Sequence, residues 1–450
     1  MPNPHTFLLT DLYQLTMLQG YIRQGMEDTA VFEFFVRKLP PKRNFLMAAG
    51  LEQVLDFLEH ARFSDEDLDF LSENDSLDQD TIDYLKNLRF TGDVHAMPEG
   101  SIFFPDEPIL RVTAPLPQAQ LVETRIINIL HFQTLIASKA ARMHLAGPDR
   151  IMVDFGLRRA HGGEAGLFAS RACYLAGFTG TSTVEAGKLY NIPIYGTMAH
   201  SFIQAHDDES QAFADFAAAN PRNSTLLIDT YDTVEGAEKV VRLAPQLKEK
   251  GISIKAVRLD SGDLAALAFK VRKILDAGGL PEVKIFASGS LDEYELKKFA
   301  DAGAPIDGFG IGSRLDTSAD APYLDCAYKL QEYAGFARRK KSAGKATWPG
   351  RKQVFRHYTG EGKMRGDELT LEGDGRQGEP LIRQVMANGK RTGNSANLNE
   401  SREFAARQLN LLPEPLKKIV PADLYEVKIS NRLRQLAEEV DARREELTVA

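Results

Sequence analysis

The chain has 450 residues, 43% hydrophobic and 26% charged, a balance typical of globular proteins and not of disordered or fibrous ones. Its formal net charge of −8 argues against broad binding to nucleic acid or anionic membranes, so any phosphorylated ligand requires local positive charge. The two cysteines form no paired motif, which favours a reducing cytoplasm. We see no signal peptide, and no apolar run approaches the ~20 residues of a membrane span.

The N-terminal part predicts a mixed α and β region. Residues 1–88 have mostly helical patterns around one apolar run, VFEFFV, at 31–36. Residues 90–115 carry turn signals between β-rich runs, which is typical of antiparallel sheet.

The middle of the chain alternates short apolar runs with helix-like segments. The runs lie at 151–156, 192–197, 225–230, 254–260, 283–289 and 307–312. Helical periodicity follows at 234–251 and 264–279, and Asp263 is predicted to cap the helix that begins at Leu264. Strands that are apolar throughout and alternate with helices predict a parallel sheet covered on both faces. We expect a β/α barrel, with a doubly wound open sheet as the alternative.

Beyond residue 330 this alternation stops, and a charged helical tail closes the chain. We expect the two flanks to form one second domain together.

Polar and small residues are concentrated at the carboxyl ends of the predicted strands, where β/α barrels carry their active sites. The candidates are Asp154, Phe155, Arg158, Arg159, Thr197, His200, Asp229, Asp232, Arg258, Asp260, Asp263, Ser288, Gly289, Ser290, Gly310, Gly312 and Ser313. The small-residue loops ASGS and GIGS follow the last two strands, the usual phosphate site of this fold. The pattern therefore predicts a phosphate-handling barrel.

Three arginines, Arg158, Arg159 and Arg258, supply the local positive charge, although Arg159 could equally pair with a neighbouring aspartate. Asp229, Asp232, Asp260 and Asp263 suit sugar hydroxyls or Mg²⁺, although Asp263 is favoured as the helix cap. His200 has its nearest histidine six residues away, at His206, so this segment does not have the spacing of a helical metal site. A packing or capping role and a chemical role for His200 both stay open at this point.

Several longer motifs resemble the nicotinate phosphoribosyltransferase family, over roughly residues 8–360. They include TDLYQLTM, DFGLRRAHG, GTMAHSF, LLIDTYDT, AVRLDSGDL and GFGIGS. The resemblance implies an irregular β/α barrel (126–330) with an α+β sandwich-like domain built from residues 1–125 and 331–450. It also implies that nicotinate and phosphoribosyl pyrophosphate (PRPP) give nicotinate mononucleotide and pyrophosphate in NAD salvage, with Mg²⁺ and with ATP hydrolysis.

The resemblance also implies roles for individual residues. His200 matches a histidine that ATP phosphorylates, and it is expected to be catalytic together with Arg258 and Asp260. Tyr13 and Phe155 match aromatics that sandwich the pyridine ring, with Tyr13 supplied by the partner subunit of a homodimer. Thr197 and Arg258 match nicotinate contacts, and the expected PRPP-binding residues are Arg158, Asp229, Ser290, Gly312 and Ser313. No residue is assigned as a direct metal ligand, although Asp229 and Asp260 match positions near the ribose and its metal.

Ser182 bears on substrate choice. The related nicotinamide enzymes have an aspartate in the stretch that reads GTSTV here. A carboxylate at that position would repel nicotinate, whereas serine would not. The alternatives are a nicotinamide or quinolinate phosphoribosyltransferase, a non-catalytic nucleotide-sensing barrel, and an aldolase or isomerase barrel. The sensor is disfavoured by the intact charged residues, and the aldolase by strand ends that offer no lysine or glutamate.

Overall fold

The computed structural model describes residues 5–73, 77–393 and 396–449, with side chains through residue 446. The chain forms two compact units: unit 1 is Met1–Ser138 with Tyr323–Ala450, and unit 2 is Lys139–Pro322. The two termini thus contribute to the same unit, and the middle of the chain forms the other.

The strands alternate with helices mainly in unit 2. In chain order the strands are β1 (Thr29–Val36), β2 (Leu46–Met47), β3 (Asp93–Ala96), β4 (Ile102–Phe103), β5 (Pro108–Pro115), β6 (Ile151–Asp154), β7 (Gly180–Thr181), β8 (Thr225–Leu227), β9 (Ala256–Leu259), β10 (Lys284–Ser288), β11 (Gly308–Ile311), β12 (Cys326–Tyr333), β13 (Phe336–Ala337), β14 (Lys352–Tyr358), β15 (Met364–Leu371), β16 (Glu379–Pro380), β17 (Arg383–Ala387), β18 (Lys390–Arg391) and β19 (Val427–Ile429).

The helices range from single turns to several turns, and one 3₁₀ turn covers Leu157–Arg159. They are α1 (Leu12–Arg23), α2 (Leu51–His60), α3 (Asp65–Glu73), α4 (Gln79–Asn87), α5 (Leu116–Leu121), α6 (Glu123–Ala146), α7 (Gly163–Leu175), α8 (Val184–Tyr190), α9 (His200–Gln204), α10 (Glu209–Ala219), α11 (Thr233–Glu249), α12 (Leu264–Ala277), α13 (Glu293–Asp301), α14 (Ser313–Asp316), α15 (Leu398–Leu411), α16 (Glu414–Lys417) and α17 (Asn431–Val449).

Unit 1 is built on a seven-stranded sheet in the order β13-β12-β1-β5-β3-β17-β18. The aromatic strand β1 lies inside it and is buried at every position after Thr29. Phe32 stacks on Tyr328 of the neighbouring strand with ring centroids 5.0 Å apart. Strands β3 and β5 pair antiparallel, as predicted for residues 90–115. A second sheet, β16-β14-β15-β19, contains the fully buried ion pair of Arg356 and Asp367, 2.6 Å apart.

Unit 2 contains a six-stranded sheet in the order β7-β6-β11-β10-β9-β8, with every pair parallel. Neighbours in this order are also neighbours along the chain, except that β11 returns to pair with β6. That is the strand order of a β/α barrel, and the predicted fold class is confirmed. Among the described residues no ladder joins β7 to β8, so the sheet has the strand order of a barrel without a closed ring of hydrogen bonds.

One predicted strand is wrong. Residues 192–197 form only an isolated bridge, in which Ile194 pairs parallel with Thr181. Pro193 has no N–H to donate to a ladder, which explains why the apolar run does not become a regular strand. A short strand that the patterns missed, β7, takes part instead. The other five predicted barrel strands correspond to β6, β8, β9, β10 and β11.

Asp263 confirms the cap predicted for α12, because its side chain accepts a hydrogen bond from the Ala266 amide. Cys173 and Cys326 are both free thiols. Within the described ranges, no helix is both long and apolar enough to cross a membrane.

Candidate active site

Arg258 lies near the end of β9 and is the centre of a hydrogen-bonded cluster. Its Nε donates to Ser288 Oγ (2.9 Å), one Nη to Thr197 Oγ1 (2.7 Å) and the Met198 carbonyl (3.2 Å), and the other Nη to Asp260 Oδ1 (3.0 Å). Only 12% of the side chain is exposed. The guanidinium is therefore fixed in place before any ligand arrives.

Asp260 follows the same strand and shares the Ser288 hydroxyl with Arg258. That hydroxyl donates to Asp260 Oδ1. Burial alone would raise the pKa of Asp260, but the hydrogen bonds from Ser288 and Arg258 and the nearby charge of Arg258 lower this pKa below its usual value. Asp260 thus stays ionised at the mouth of the site.

Asp229 follows β8, and its side chain is hydrogen-bonded to the segment that contains Asp260. Its Oδ2 accepts hydrogen bonds from the Asp260 amide (2.8 Å) and from Ser261 Oγ (2.7 Å). The side chain is 8% exposed, and its Oδ1 is buried without a donor among the described residues. A carboxylate oxygen left free next to a second carboxylate suits Mg²⁺, which takes one or two carboxylates together with water and substrate phosphates.

His200 is the first residue of α9, and its imidazole faces the same cluster. Nδ1 lies 3.1 Å from Thr230 Oγ1, and Nε2 lies 3.9 Å from Asp260 Oδ2. The side chain is 38% exposed, so the ring is accessible from solvent. Residue spacing alone left the role of His200 open, and the geometry now puts its imidazole beside the strand-end carboxylate of Asp260.

Phe155 provides an aromatic surface beside the arginine. The centroid of its ring lies 5.7 Å from Arg258 Cζ. The ring also lies against Gly310 of β11, where a Cβ atom would come within 2.4 Å of it. A glycine in the neighbouring strand is therefore what makes room for the ring.

Arg158 and Arg159 belong to the 3₁₀ turn that follows Phe155, and both are exposed. Neither has an ion-pair partner in the part of the chain that the structure describes. The alternative in which Arg159 pairs with a nearby aspartate is not what the structure shows. Both guanidinium groups are available to an anionic ligand.

The two small-residue loops lie side by side, because β10 and β11 pair in parallel with Ser288 opposite Gly310. Gly289 has φ +98°, and a Cβ there would lie 2.3 Å from the Asp260 carbonyl oxygen, so this turn requires glycine. Ser290 also has positive φ, at +50°. Beyond the loops, Arg314 donates to Asp292 and thereby ties the two segments together.

The structure brings most of the predicted site residues to one end of the parallel sheet in unit 2. They are Phe155, Arg158, Thr197, His200, Asp229, Arg258, Asp260, Ser290, Gly312 and Ser313. Tyr13 belongs to unit 1, where it lies in the first turn of α1 with 49% of its surface exposed. Two contributors were missed, Thr230 and Ser261, although each directly follows a strand-end residue that was predicted.

Comparisons with known proteins point to the same family over most of the chain. Sequence models of the nicotinate phosphoribosyltransferase (NAPRTase) N-terminal domain, family and C-terminal domain match residues 8–131, 151–335 and 374–437. The chain is 47% identical over 428 residues to nicotinate phosphoribosyltransferase pncB2 of Mycobacterium tuberculosis, covering 95% of this chain and 92% of that one. It is 34% identical to the nicotinate phosphoribosyltransferase of Bos taurus, covering 97% of each chain.

The crystal structure of human nicotinic acid phosphoribosyltransferase has the same fold. It matches with a TM-score of 0.87 at 31% identity, covering 96% of this chain and 100% of that one. The motifs, the irregular barrel and these similarities together show that the chain belongs to the nicotinate phosphoribosyltransferase family of enzymes.

Proposed function

We propose that this enzyme forms nicotinate mononucleotide and pyrophosphate from nicotinate and PRPP in the salvage of NAD. The observation that carries the proposal is the position of Arg258 beside Phe155. A pyridine ring stacked on Phe155 would present its carboxylate to the guanidinium. Arg258 uses four of its five N–H groups within the cluster, which leaves one N–H, on the Nη that binds Asp260, for the substrate carboxylate.

Ser182 supports the choice of the acid over the amide. Its amide donates to the Asp154 carbonyl (2.8 Å), so it lies directly beside the strand end that leads to Phe155. A neutral hydroxyl here places no negative charge against nicotinate, whereas an aspartate would favour an amide NH₂.

The transfer reaction needs positioning and charge stabilisation more than proton transfer. The pyridine nitrogen has a free lone pair, so it forms the new bond to the anomeric carbon without a general base while the bond to pyrophosphate breaks. The sugar becomes cation-like, and we assign the stabilisation of that positive charge to the carboxylates of Asp229 and Asp260. Arg158 would bind the pyrophosphate, and Ser290, Gly312 and Ser313 the 5-phosphate.

Asp229 and Asp260 are also the residues that would hold Mg²⁺ with PRPP. When bound, the ion neutralises charge on the leaving pyrophosphate. The free Oδ1 of Asp229 is the atom in this chain that supports the assignment.

His200 is proposed to accept a phosphoryl group from ATP, which couples nucleotide formation to ATP hydrolysis. The attack requires a neutral imidazole with a free ring nitrogen. A hydrogen bond from Nδ1–H to Thr230 would leave Nε2 as that nitrogen, on the side of the site where Asp260 lies.

A homodimer that shares its active sites is proposed as the working state, with Tyr13 reaching the partner's pyridine site. Unit 2 exposes apolar side chains around α8, which supports an association surface there. Val184 is 69% exposed, Leu189 53% and Ile194 58%, and Gly187 lies so close to Ile194 that a Cβ would be 2.3 Å from its Cγ2. The two free thiols suit the reducing cytoplasm, the proposed location.

The test is product formation from nicotinate and from nicotinamide, each with PRPP and Mg²⁺, with and without ATP. Nicotinate mononucleotide formation that ATP stimulates is the expected result. If the enzyme used nicotinamide but not nicotinate, the substrate assignment would be refuted. Ser182→Asp serves as the matched variant and should weaken the use of nicotinate while folding normally, because residue 182 is only half-buried.

A further inference from the structure

Asp154 ends strand β6 and is completely buried beneath the proposed pyridine site. Its Oδ1 accepts from the Gly156 amide (2.8 Å), and its Oδ2 accepts from Ser170 Oγ (2.7 Å) and Thr181 Oγ1 (2.7 Å). Three donors thus converge on this one carboxyl. Asp154 therefore anchors α7, β7 and the turn into Phe155 at one point.

Asp316, the last residue of α14, is buried to the same degree as Asp154 but lacks the hydrogen-bond donors that surround Asp154. Neither of its carboxyl oxygens receives a hydrogen bond from any donor among the described residues. Asp154 is close by, because its Oδ1 accepts a hydrogen bond from the amide of Gly156, the residue against which the Asp316 carboxyl packs. Two ionised carboxylates cannot share such a site, because each would face the other's charge without solvent.

The backbone of Gly156 holds Asp316 in this position. A Cβ atom on Gly156 would lie 2.1 Å from Asp316 Cγ, so the carboxyl rests directly on the glycine Cα. No other residue at position 156 leaves room for it. Asp316 thus contacts the turn that connects Phe155 to Arg158, while α14 begins at the phosphate-loop residue Ser313.

We propose that Asp316 is a neutral carboxylic acid that donates its proton to Asp154, and that this pair is a positioning device for the active site. It joins the turn carrying Phe155 and Arg158 to the helix that carries Ser313. The proposed site for the pyridine ring of nicotinate and the proposed site for the 5-phosphate of PRPP are thereby held at a fixed distance. Burial first, and then the charge of Asp154 and the hydrogen bond to it, raise the pKa of Asp316 well above its usual value, which agrees with a neutral acid.

Infrared spectroscopy tests the protonation state independently of any activity. Wild-type protein labelled with ¹³C in aspartate should show, at neutral pH, an isotope-shifted carbonyl band of a protonated acid that Asp316→Asn abolishes. The label matters because Glu107 is a second buried acid, whose pKa is raised first by burial and then by the charge of Asp367. If the wild-type protein shows no carbonyl band from a protonated aspartate, the proposal is overturned. This measurement needs only the wild type, so it remains valid even if a variant fails to fold.

The positioning role rests on the proposed function and is tested by rescue. Asparagine can donate to Asp154 as a protonated acid does, so Asp316→Asn should keep kcat and the KM for PRPP within about threefold, whereas Asp316→Ala should lose roughly 10- to 100-fold in kcat/KM. The control Asp301→Asn alters an exposed aspartate of α13 and should change nothing. Equal losses in the Asn and Ala variants would contradict the role of Asp316. Failure of the proposed function would instead appear as a wild type inactive on nicotinate, with its infrared band intact.

Discussion

The Nε2 atom of His200 lies 3.9 Å from a carboxylate oxygen of Asp260, a residue that also binds the Arg258 guanidinium. The proposed phosphoryl acceptor and the proposed PRPP site therefore share a side chain. A phosphoryl group on Nε2 would bring negative charge next to the Asp260 carboxylate. That repulsion offers a physical route by which phosphorylation changes the site and is relieved on hydrolysis.

His200→Ala should abolish ATP stimulation but keep weak PRPP-dependent synthesis of nicotinate mononucleotide, because the residues proposed for the transfer step are untouched. The measurement is the initial rate with and without ATP, together with phosphate incorporation from radiolabelled ATP. His206→Ala is the matched control, since His206 belongs to the same segment and hydrogen-bonds to the Phe202 carbonyl instead. An equal loss of both rates in His200→Ala would make the histidine directly necessary for transfer.

Arg258→Lys should reduce kcat/KM for nicotinate by roughly 10- to 100-fold, the equivalent of about 1.5–3 kcal/mol for hydrogen bonds to a charged group. Lysine keeps the charge but cannot bind Ser288, Thr197 and Asp260 at once. Any residual use of nicotinamide should fall less, because its amide carries no charge. Arg242→Lys changes an exposed arginine of α11 outside the site and should leave the nicotinate KM unchanged. If it costs as much as Arg258→Lys, the assignment of the carboxylate site is wrong.

Ser288→Ala should move the acidic limb of the kcat/KM profile to higher pH. The Ser288 hydroxyl donates to Asp260 and helps to keep the pKa of Asp260 low, so its removal lets the carboxyl protonate earlier as the pH falls. The folded pKa of Asp260 is below its unfolded value. The ionised Asp260 carboxylate therefore stabilises the fold at pH values above its pKa in the unfolded protein. This contribution is lost as the pH falls through its pKa in the folded protein.

The pH profile of Ser261→Ala is the comparison for Ser288→Ala. Ser261 donates to Asp229 and not to Asp260. The acidic limb of the kcat/KM profile of Ser261→Ala should therefore stay at the wild-type pH. An unmoved limb in Ser288→Ala would show that the Asp260 carboxylate does not control activity.

Mixing two variants that lack ATP-stimulated activity tests the shared active site. Tyr13→Ala and His200→Ala should each lose ATP-stimulated activity. After subunit exchange in an equal mixture, about half of the dimers contain one subunit of each variant, and one of the two sites of each such dimer has both intact residues. ATP-stimulated activity should therefore recover to about a quarter of the wild-type level. The measurement is ATP-stimulated synthesis after co-incubation, with sedimentation to verify a dimer. No recovery in mixed dimers would place both residues in one subunit's site.

Residue type and chain order were enough to predict the barrel, five of its strands and the Asp263 cap, because apolar runs, helix periodicity and caps depend on short segments. They also placed Asp229, Arg258 and Asp260 at strand ends, which parallel pairing then brings to one edge. The strand expected at 192–197 was wrong because a single Pro193 outweighs the apolar composition around it. His200 kept several possible roles until the family motifs were considered.

The contacts that make these residues a site depend on long-range closure of the sheet. Arg258 binds Thr197 across 61 positions and Ser288 across 30, and no local pattern encodes either pairing. The same holds for Asp316, which in sequence is an ordinary polar residue at the end of a four-residue helix. Its burial against Gly156 and Asp154 arises because β11 returns to pair with β6, which brings the end of the parallel sheet back to its beginning. Local sequence thus specified which side chains stand at the strand ends, and the pairing of distant strands determined their neighbours and their charge states.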